Sequence, residues 1–135
     1  MTWRTLAGVQ VKGIVWLGTR TDRFDEMRAF VASVSGRDPW IDEPGFAVFD
    51  LPNGDRIEVL GPEGGDPPRP EAPLAGLLVE DVDEARGELE AVGIEFVGPV
   101  HDGGDGNRWA HFRAPDGHLY ELTSRPDHPA HALEP

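Results

Sequence analysis

The sequence predicts an α+β fold made of two tandem βαβββ modules, whose strands form a curved mixed sheet around a cleft. Three observations carry that expectation. The stretch FDLPNGDRIEV, Phe49 to Val59, returns 63 residues further on as FRAPDGHLYEL, Phe112 to Leu122. Each copy follows the same run of patterns: a short apolar strand, one amphipathic helix, then further short strands. Between the halves lies GPEGGDPPRPEAP, Gly61 to Pro73, with five prolines in thirteen residues. Neither a helix nor an inner strand tolerates that density, so it is a surface crossover. Two copies of one supersecondary unit joined by such a crossover indicate a duplication.

The elements follow in order. VQVKGIVWLGT, Val9 to Thr19, is rich in β-branched and aromatic residues and reads as a strand. Asp22 takes the N-cap position of a helix in which Phe24, Met27, Phe30, Val31 and Val34 recur at helical spacing and Gly36 ends the pattern. A short strand around Trp40-Ile41, a strand Phe46 to Leu51, the Pro52-Asn53-Gly54 turn and a strand Arg56 to Leu60 complete module one, residues 9–60. The crossover occupies 61–73. Module two, residues 74–123, opens with an apolar strand from Leu74 to Val79. Asp81 then caps a helix, with Glu84 in the capping-box position and Val82, Ala85, Leu89 and Val92 as its buried stripe. Gly93 stops that helix. Ile94 to Val97 is a strand, HDGGDGN (His101 to Asn107) a loose loop, and Trp109 to Arg113 and Leu119 to Thr123 the last two strands. The tail, 124–135, is expected to fray. At 135 residues the whole reads as one domain.

Composition narrows the function classes. A 39% hydrophobic, 27% charged chain is that of a globular protein rather than a disordered one. No apolar run approaches the roughly 20 residues a membrane span needs. MTWRTLAGVQVKG lacks the pattern of a secretory signal, and zero cysteines rule out disulfides, a catalytic thiol and zinc–thiolate sites. The expectation is a cytoplasmic protein. Its formal net charge of −13 works against nucleic acid and anionic membranes, which are bound mainly through Lys and Arg, and favours cationic ligands.

Within the repeated hairpin, Pro presets φ, Asn53 or Asp116 bonds its own backbone, and the following Gly accepts a positive φ. The glutamates need another reason. Strand side chains alternate, so Ile57 and Val59 oppose Glu58, and Tyr120 and Leu122 oppose Glu121. If the apolar pairs pack under the helices, both glutamates emerge on the other face, looking into one shared cleft.

This constellation resembles the vicinal oxygen chelate superfamily of glyoxalases, bleomycin-resistance proteins and extradiol dioxygenases. The resemblance runs from Val11 to Thr123 and rests on FRAPDGHLYEL with its first-half echo and on LLVEDVDEARGELEAVGIEF. It implies a homodimer, and in metal-dependent members a His early in each module's first strand and a Glu on its last strand hold one divalent ion. The glutamates match Glu58 and Glu121. The histidines do not: module two offers Leu74, and module one offers Trp16, or Val15 if the register slips by one. Alternation favours Trp16, leaving Val15, Leu17 and Thr19 together on the helix-packed face.

Two carboxylates alone make an oxygen-only site that suits Mg²⁺ or Ca²⁺ better than transition metals. Among the histidines, His128 and His131 in the tail and His101 in the loop are expected to be solvated, and His118 sits beside a turn. With Ala110 and Phe112 inward like Ala47 and Phe49, Trp109, His111 and Arg113 face the cleft. His111 is then either a satisfied or merely surface histidine, or a substitute ligand or proton-transfer group beside Glu121. GGDG, Gly103 to Gly106, lacks the lysine of a phosphate loop. Trp3 and Trp40 are candidates for core or interface, Trp16 and Trp109 for stacking walls.

Besides a structural or regulatory module whose cleft is vestigial, two functions remain open. One is a binder of a small organic, cationic molecule in the cleft without a transition metal, contacted by Trp16, Leu74, Trp109, His111 and Arg113. The other is a divergent metal-dependent lyase, isomerase or dioxygenase in which Glu58 and Glu121, with His111, do the chemistry. Whether the chain is an enzyme is undecided at this level.

Overall fold

The computed structural model describes residues 9–63 and 73–133. By internal packing these fall into two units, residues 14–63 with 73–76, and residues 9–13 with 77–133. The first contains β1 (Gly13–Arg20), α1 (Phe24–Ser35), β2 (Ile41–Glu43), β3 (Phe46–Asp50) and β4 (Arg56–Leu60). β5 (Leu74–Leu78) passes from the first unit into the second, which continues through α2 (Val82–Ala91), β6 (Glu95–Asp102), β7 (Arg108–Arg113) and β8 (Leu119–Thr123) to a 3-10 turn over Pro129–Ala132. The predicted α+β class and its two βαβββ modules are therefore what the chain adopts.

In the first unit the strands lie in the order β2-β3-β4-β1. β3 runs antiparallel to β2 and β4, whereas β4 runs parallel to β1, because a hairpin reverses the chain and the longer excursion through α1 does not. The second repeats the order as β5-β8-β7-β6, with β7 antiparallel to both neighbours.

Each module buries the strand residues that alternation assigns to its helix. Ala47, Phe49 and Val59 pack with Val31 of α1, and half-buried Ile57 joins them. Ala110, Phe112 and Leu122 pack with Val82, Ala85 and Leu89 of α2, flanked by Tyr120. Glu58 and Glu121 consequently point away from these clusters.

The hairpins match bond for bond. Leu51 N–H donates to Asp55 O at 2.7 Å and Gly54 N–H to Leu51 O at 2.9 Å. Ala114 N–H donates to His118 O at 2.9 Å and Gly117 N–H to Ala114 O at 2.8 Å. Asn53 Oδ1 accepts from Asp55 N–H, and Asp116 Oδ1 from His118 N–H, both at 3.0 Å. Gly54 and Gly117 sit at φ 93° and 89°, where a Cβ is disfavoured. That bond from His118 N–H, together with the His118 side chain, holds the Asp116 carboxyl below its ordinary range.

Several expectations need correction. The first strand begins at Gly13 rather than Val9, and the strand after α2 runs through Asp102 rather than ending at Val97. Arg23 rather than Asp22 stands at the N-cap of α1 and makes no side-chain cap; Thr21 Oγ1 takes Arg23 N–H instead. Phe30 and Val34 are exposed, one step around the helix from the Phe24–Met27–Val31 line that packs. Val92 is exposed because it is the C-cap of α2, beyond the last helical turn. Leu17 is exposed although Val15 on the same strand face is buried. Trp40 is not core; it is 54% exposed, with the Arg56 guanidinium 5.0 Å from its ring centroid. Trp3 lies outside the described residues.

Over its described residues, 124–133, the tail is held by hydrogen bonds instead of the expected fraying. His128 is buried and its Nδ1 accepts from Ala130 N–H at 3.0 Å, opening the 3-10 turn. His131 Nε2 hydrogen-bonds Ser124 O. By contrast α2 is capped as predicted, Asp81 Oδ1 accepting from Glu84 N–H at 3.0 Å. No described helix is long and apolar enough to cross a membrane.

Candidate functional site

The two hairpin glutamates have different partners. In the first module Glu58 is half-buried, and its Oε2 accepts the indole N–H of Trp16 at 3.0 Å. Sequence and register explain how the ring gets there. Gly18 is paired with Glu58 across the β1–β4 ladder, and Trp16 stands two residues before Gly18 on the same face. A Cβ on Gly18 would come within 2.0 Å of the Trp16 ring. The missing side chain lets the indole lie along its own strand and reach the neighbouring carboxylate.

In the second module Glu121 is 5% exposed and stands directly opposite His111, which is 1% exposed, in the β7–β8 ladder. His111 Nε2 lies 3.0 Å from Glu121 Oε1. The distance permits an ion pair, but the directions of the groups do not meet hydrogen-bond geometry, and both ring nitrogens lack a hydrogen-bond partner among the described residues. The two groups touch without a hydrogen bond between them.

His101 joins this cluster, which overturns the expectation of a solvated loop residue. A register shift between Val97 and His101, with Gly98 at φ 78°, carries β6 past the predicted stop. The His101 ring stacks on Trp109 at 5.7 Å and meets His111 edge-on at 6.2 Å. His101 Nε2 is also buried without a hydrogen-bond partner among the described residues. Trp109 lies over Gly103, where a Cβ would come within 2.7 Å of its ring. Both tryptophans proposed as walls thus depend on a glycine. For Trp16 a Trp-x-Gly pattern opposite a strand glutamate was the available sequence signal; Trp109 has none, its glycine lying six residues earlier, and His101 was missed because the bulge is not visible in periodicity.

Trp16 and Leu74 are buried and Trp109 is half-buried. Arg113 is exposed and its Nη1 donates to Gly117 O at 3.0 Å, bracing the turn of its own hairpin. His118 is exposed beside Asp116. A hollow of about 180 Å³ at the start of α2 contains none of these residues; Lys12, Glu80, Glu84 and Glu88 contribute its charged wall. Its lysine is already engaged, Lys12 Nζ donating to Glu80 Oε2 at 2.6 Å, and that bond holds the Glu80 carboxyl below its ordinary range.

The superfamily's divalent ion can be tested against these side chains. An indole N–H is a donor only and a leucine is no ligand at all, so neither replaces an imidazole. Among the described residues no group of three or more His, Asp or Glu converges as a ligand set. The donor set does not fit the four-ligand centre.

The family model described as Glyoxalase/Bleomycin resistance protein/Dioxygenase superfamily matches residues 13–122, and the chain belongs to that superfamily. None of the curated protein sequences matches it. Among solved structures it is similar to the Mn(II)-bound glyoxalase from Novosphingobium aromaticivorans, with 23% identity and a TM-score of 0.66 over 86% of this chain and 40% of that one. It is also similar to methylmalonyl-CoA epimerase from Mycobacterium tuberculosis, with 19% identity and a TM-score of 0.65 over 92% of each chain. A third similar structure is that of NAD-dependent benzaldehyde dehydrogenase from Legionella pneumophila, 18% identical with a TM-score of 0.62 over 81% of this chain and 96% of that one. At these identities the likeness is one of fold.

Proposed function

We propose that this member of the superfamily binds a small organic molecule without a resident transition metal. The observation that carries the reading is the 3.0 Å hydrogen bond from Trp16 to Glu58. Where metal-dependent relatives pair the module's glutamate with an imidazole, this chain pairs it with a group that cannot ligate. Leu74 at the second histidine position supports the same reading, and a net charge of −13 favours a neutral or cationic ligand. With it go a homodimeric, cytoplasmic protein that engages neither nucleic acid nor membrane, and a binding surface drawn from Trp16, Leu74, Trp109, His111 and Arg113. The second reading is a lyase, isomerase or dioxygenase that holds a divalent ion through Glu58 and Glu121. Its support is the fold shared with a Mn(II)-bound glyoxalase.

Elemental analysis of untagged protein purified without chelator separates the two. The expected result is substoichiometric metal, unchanged in Glu58→Gln and Glu121→Gln. One metal per chain, lost in either variant, overturns the metal-free reading.

A further inference from the structure

We infer that the second module carries a recognition site of its own, built on His111, Glu121 and His101, for a neutral or cationic small molecule that presents N–H or O–H donors. It rests on the small-molecule reading above and specifies the chemistry of the ligand.

Three buried ring nitrogens lie together here without a hydrogen-bond partner among the described residues: Nδ1 and Nε2 of His111 and Nε2 of His101. The two imidazoles meet at 6.2 Å, and the carboxylate of Glu121 stands 3.0 Å from one of them. Leaving one buried polar group unsatisfied costs about 1–3 kcal/mol, and native proteins hold few such groups. Three on neighbouring strands beside a buried carboxylate indicate a polar cluster completed by something the described residues do not supply. The first module shows the contrast, since there Glu58 accepts from Trp16.

The ligand's polarity follows from the same atoms. A carboxylate only accepts hydrogen bonds. Glu121 beside Nε2 favours the tautomer with its proton on that nitrogen, which leaves Nδ1 of His111 as an acceptor. Glu121 and Nδ1 of His111 therefore ask for donors, whereas the Nε2–H of His111 is itself a donor and faces the carboxylate at 3.0 Å. An acceptor-only anion would meet like charge at Glu121 and across a chain of net charge −13. Trp109, stacked on His101 and only half-buried, favours a ligand with a flat face.

The test uses EDTA-treated full-length protein and three probes of one shape. Benzamidine is a cationic donor, benzamide a neutral donor, and benzoate an anion with acceptors only. Histidine ring ¹⁵N signals and calorimetry report binding, with the His111 signals assigned through His111→Gln. Benzamidine and benzamide are expected to bind and shift the His111 signals, and benzoate to do neither. His111→Phe should weaken benzamidine about tenfold, the equivalent of one lost hydrogen bond. If that variant fails to fold, the same loss is read in His111→Gln.

Benzoate binding as tightly as benzamidine overturns the inference. So do His111 signals unmoved by all three probes, which would mean that water alone satisfies these nitrogens. Stoichiometric metal in untreated protein counts against the metal-free reading, whereas silent His111 signals in metal-free protein count against this site alone.

Discussion

The two closing hairpins share their turns, their register and their core positions, and they differ at the glutamate. Glu58 meets an indole donor across the ladder, and Glu121 meets a buried imidazole without a true hydrogen bond. The shared part answers to the backbone, since any hairpin with this turn needs a residue that accepts positive φ and a side chain that caps the loop. The differing part lies on the strand face turned away from α1 in one module and α2 in the other, so packing against those helices imposes nothing on it. Duplication thus preserved what each module needs to fold and left the opposite face free to diverge.

The shared cores can be broken first. Phe49 and Phe112 are equivalent in the repeat, but Phe49 is fully buried while Phe112 keeps 8% exposure. Phe112 also leans on Phe96 and Tyr120 at 5.4 and 5.8 Å. Phe49→Ala is expected to cost about 4 kcal/mol and Phe112→Ala about 3 kcal/mol. Urea unfolding of both variants measures the difference; equal losses would mean that the two cores are packed alike.

The glycines beneath the two tryptophans sharpen the comparison on the other face. Gly18→Ala drives a methyl group to 2.0 Å from the buried Trp16 ring and is expected to cost about 3 kcal/mol, with the Trp16–Glu58 bond lost. Gly103→Ala meets Trp109 at 2.7 Å, yet that ring is half-buried and Gly103 is exposed, so about 1 kcal/mol is expected. A second measurement distinguishes them: adding Trp16→Phe should relieve much of the Gly18→Ala penalty, because the smaller ring clears the new methyl group.

The smallest effects are electrostatic and alike in the two units. The Arg28 guanidinium hydrogen-bonds Asp42, and Lys12 hydrogen-bonds Glu80, so each carboxyl titrates below its ordinary value of 3.8 or 4.5. A carboxylate whose folded pKa is depressed adds stability above its unfolded pKa and loses it as pH falls through the folded one. Both contributions should therefore begin to fall as pH drops past 3.8 for Asp42 and 4.5 for Glu80 and be gone once the lower folded pKa of each is passed. Both carboxylates are exposed, so salt should weaken the pairs. Carbon-13 titration of the carboxyls should show Asp42 returning toward 3.8 in Arg28→Met and Glu80 toward 4.5 in Lys12→Met.

Legibility followed the range of the interaction. The βαβββ order, the Asp81 cap, the hairpin turns and the inward set of Ala47, Phe49, Ala110 and Phe112 depend on neighbours close in sequence or on strand alternation, and each was readable. Arg23 at the α1 cap was not, because Thr21 supplies a competing local hydrogen bond. The exposure of Phe30 and Val34 was not readable either, since helical spacing gives a face and not its width. His101 escaped because one bulge reassigns every residue beyond it. The site was legible in its carboxylates and hidden in its partners.

By itself the sequence determined the class, the duplication and the two glutamates, because turn chemistry and period-2 alternation are local and were written twice. It also showed that the histidines expected beside them are absent. Only the tertiary structure decided what replaced them. Trp16 reaches Glu58 because the β1–β4 register sets a side-chain-free Gly18 opposite that carboxylate. His111 becomes a buried residue because the β7–β8 register places it against Glu121 and a bulge in β6 brings His101 to its edge. Register and bulges are cooperative properties of paired strands, and no single strand's sequence contains them.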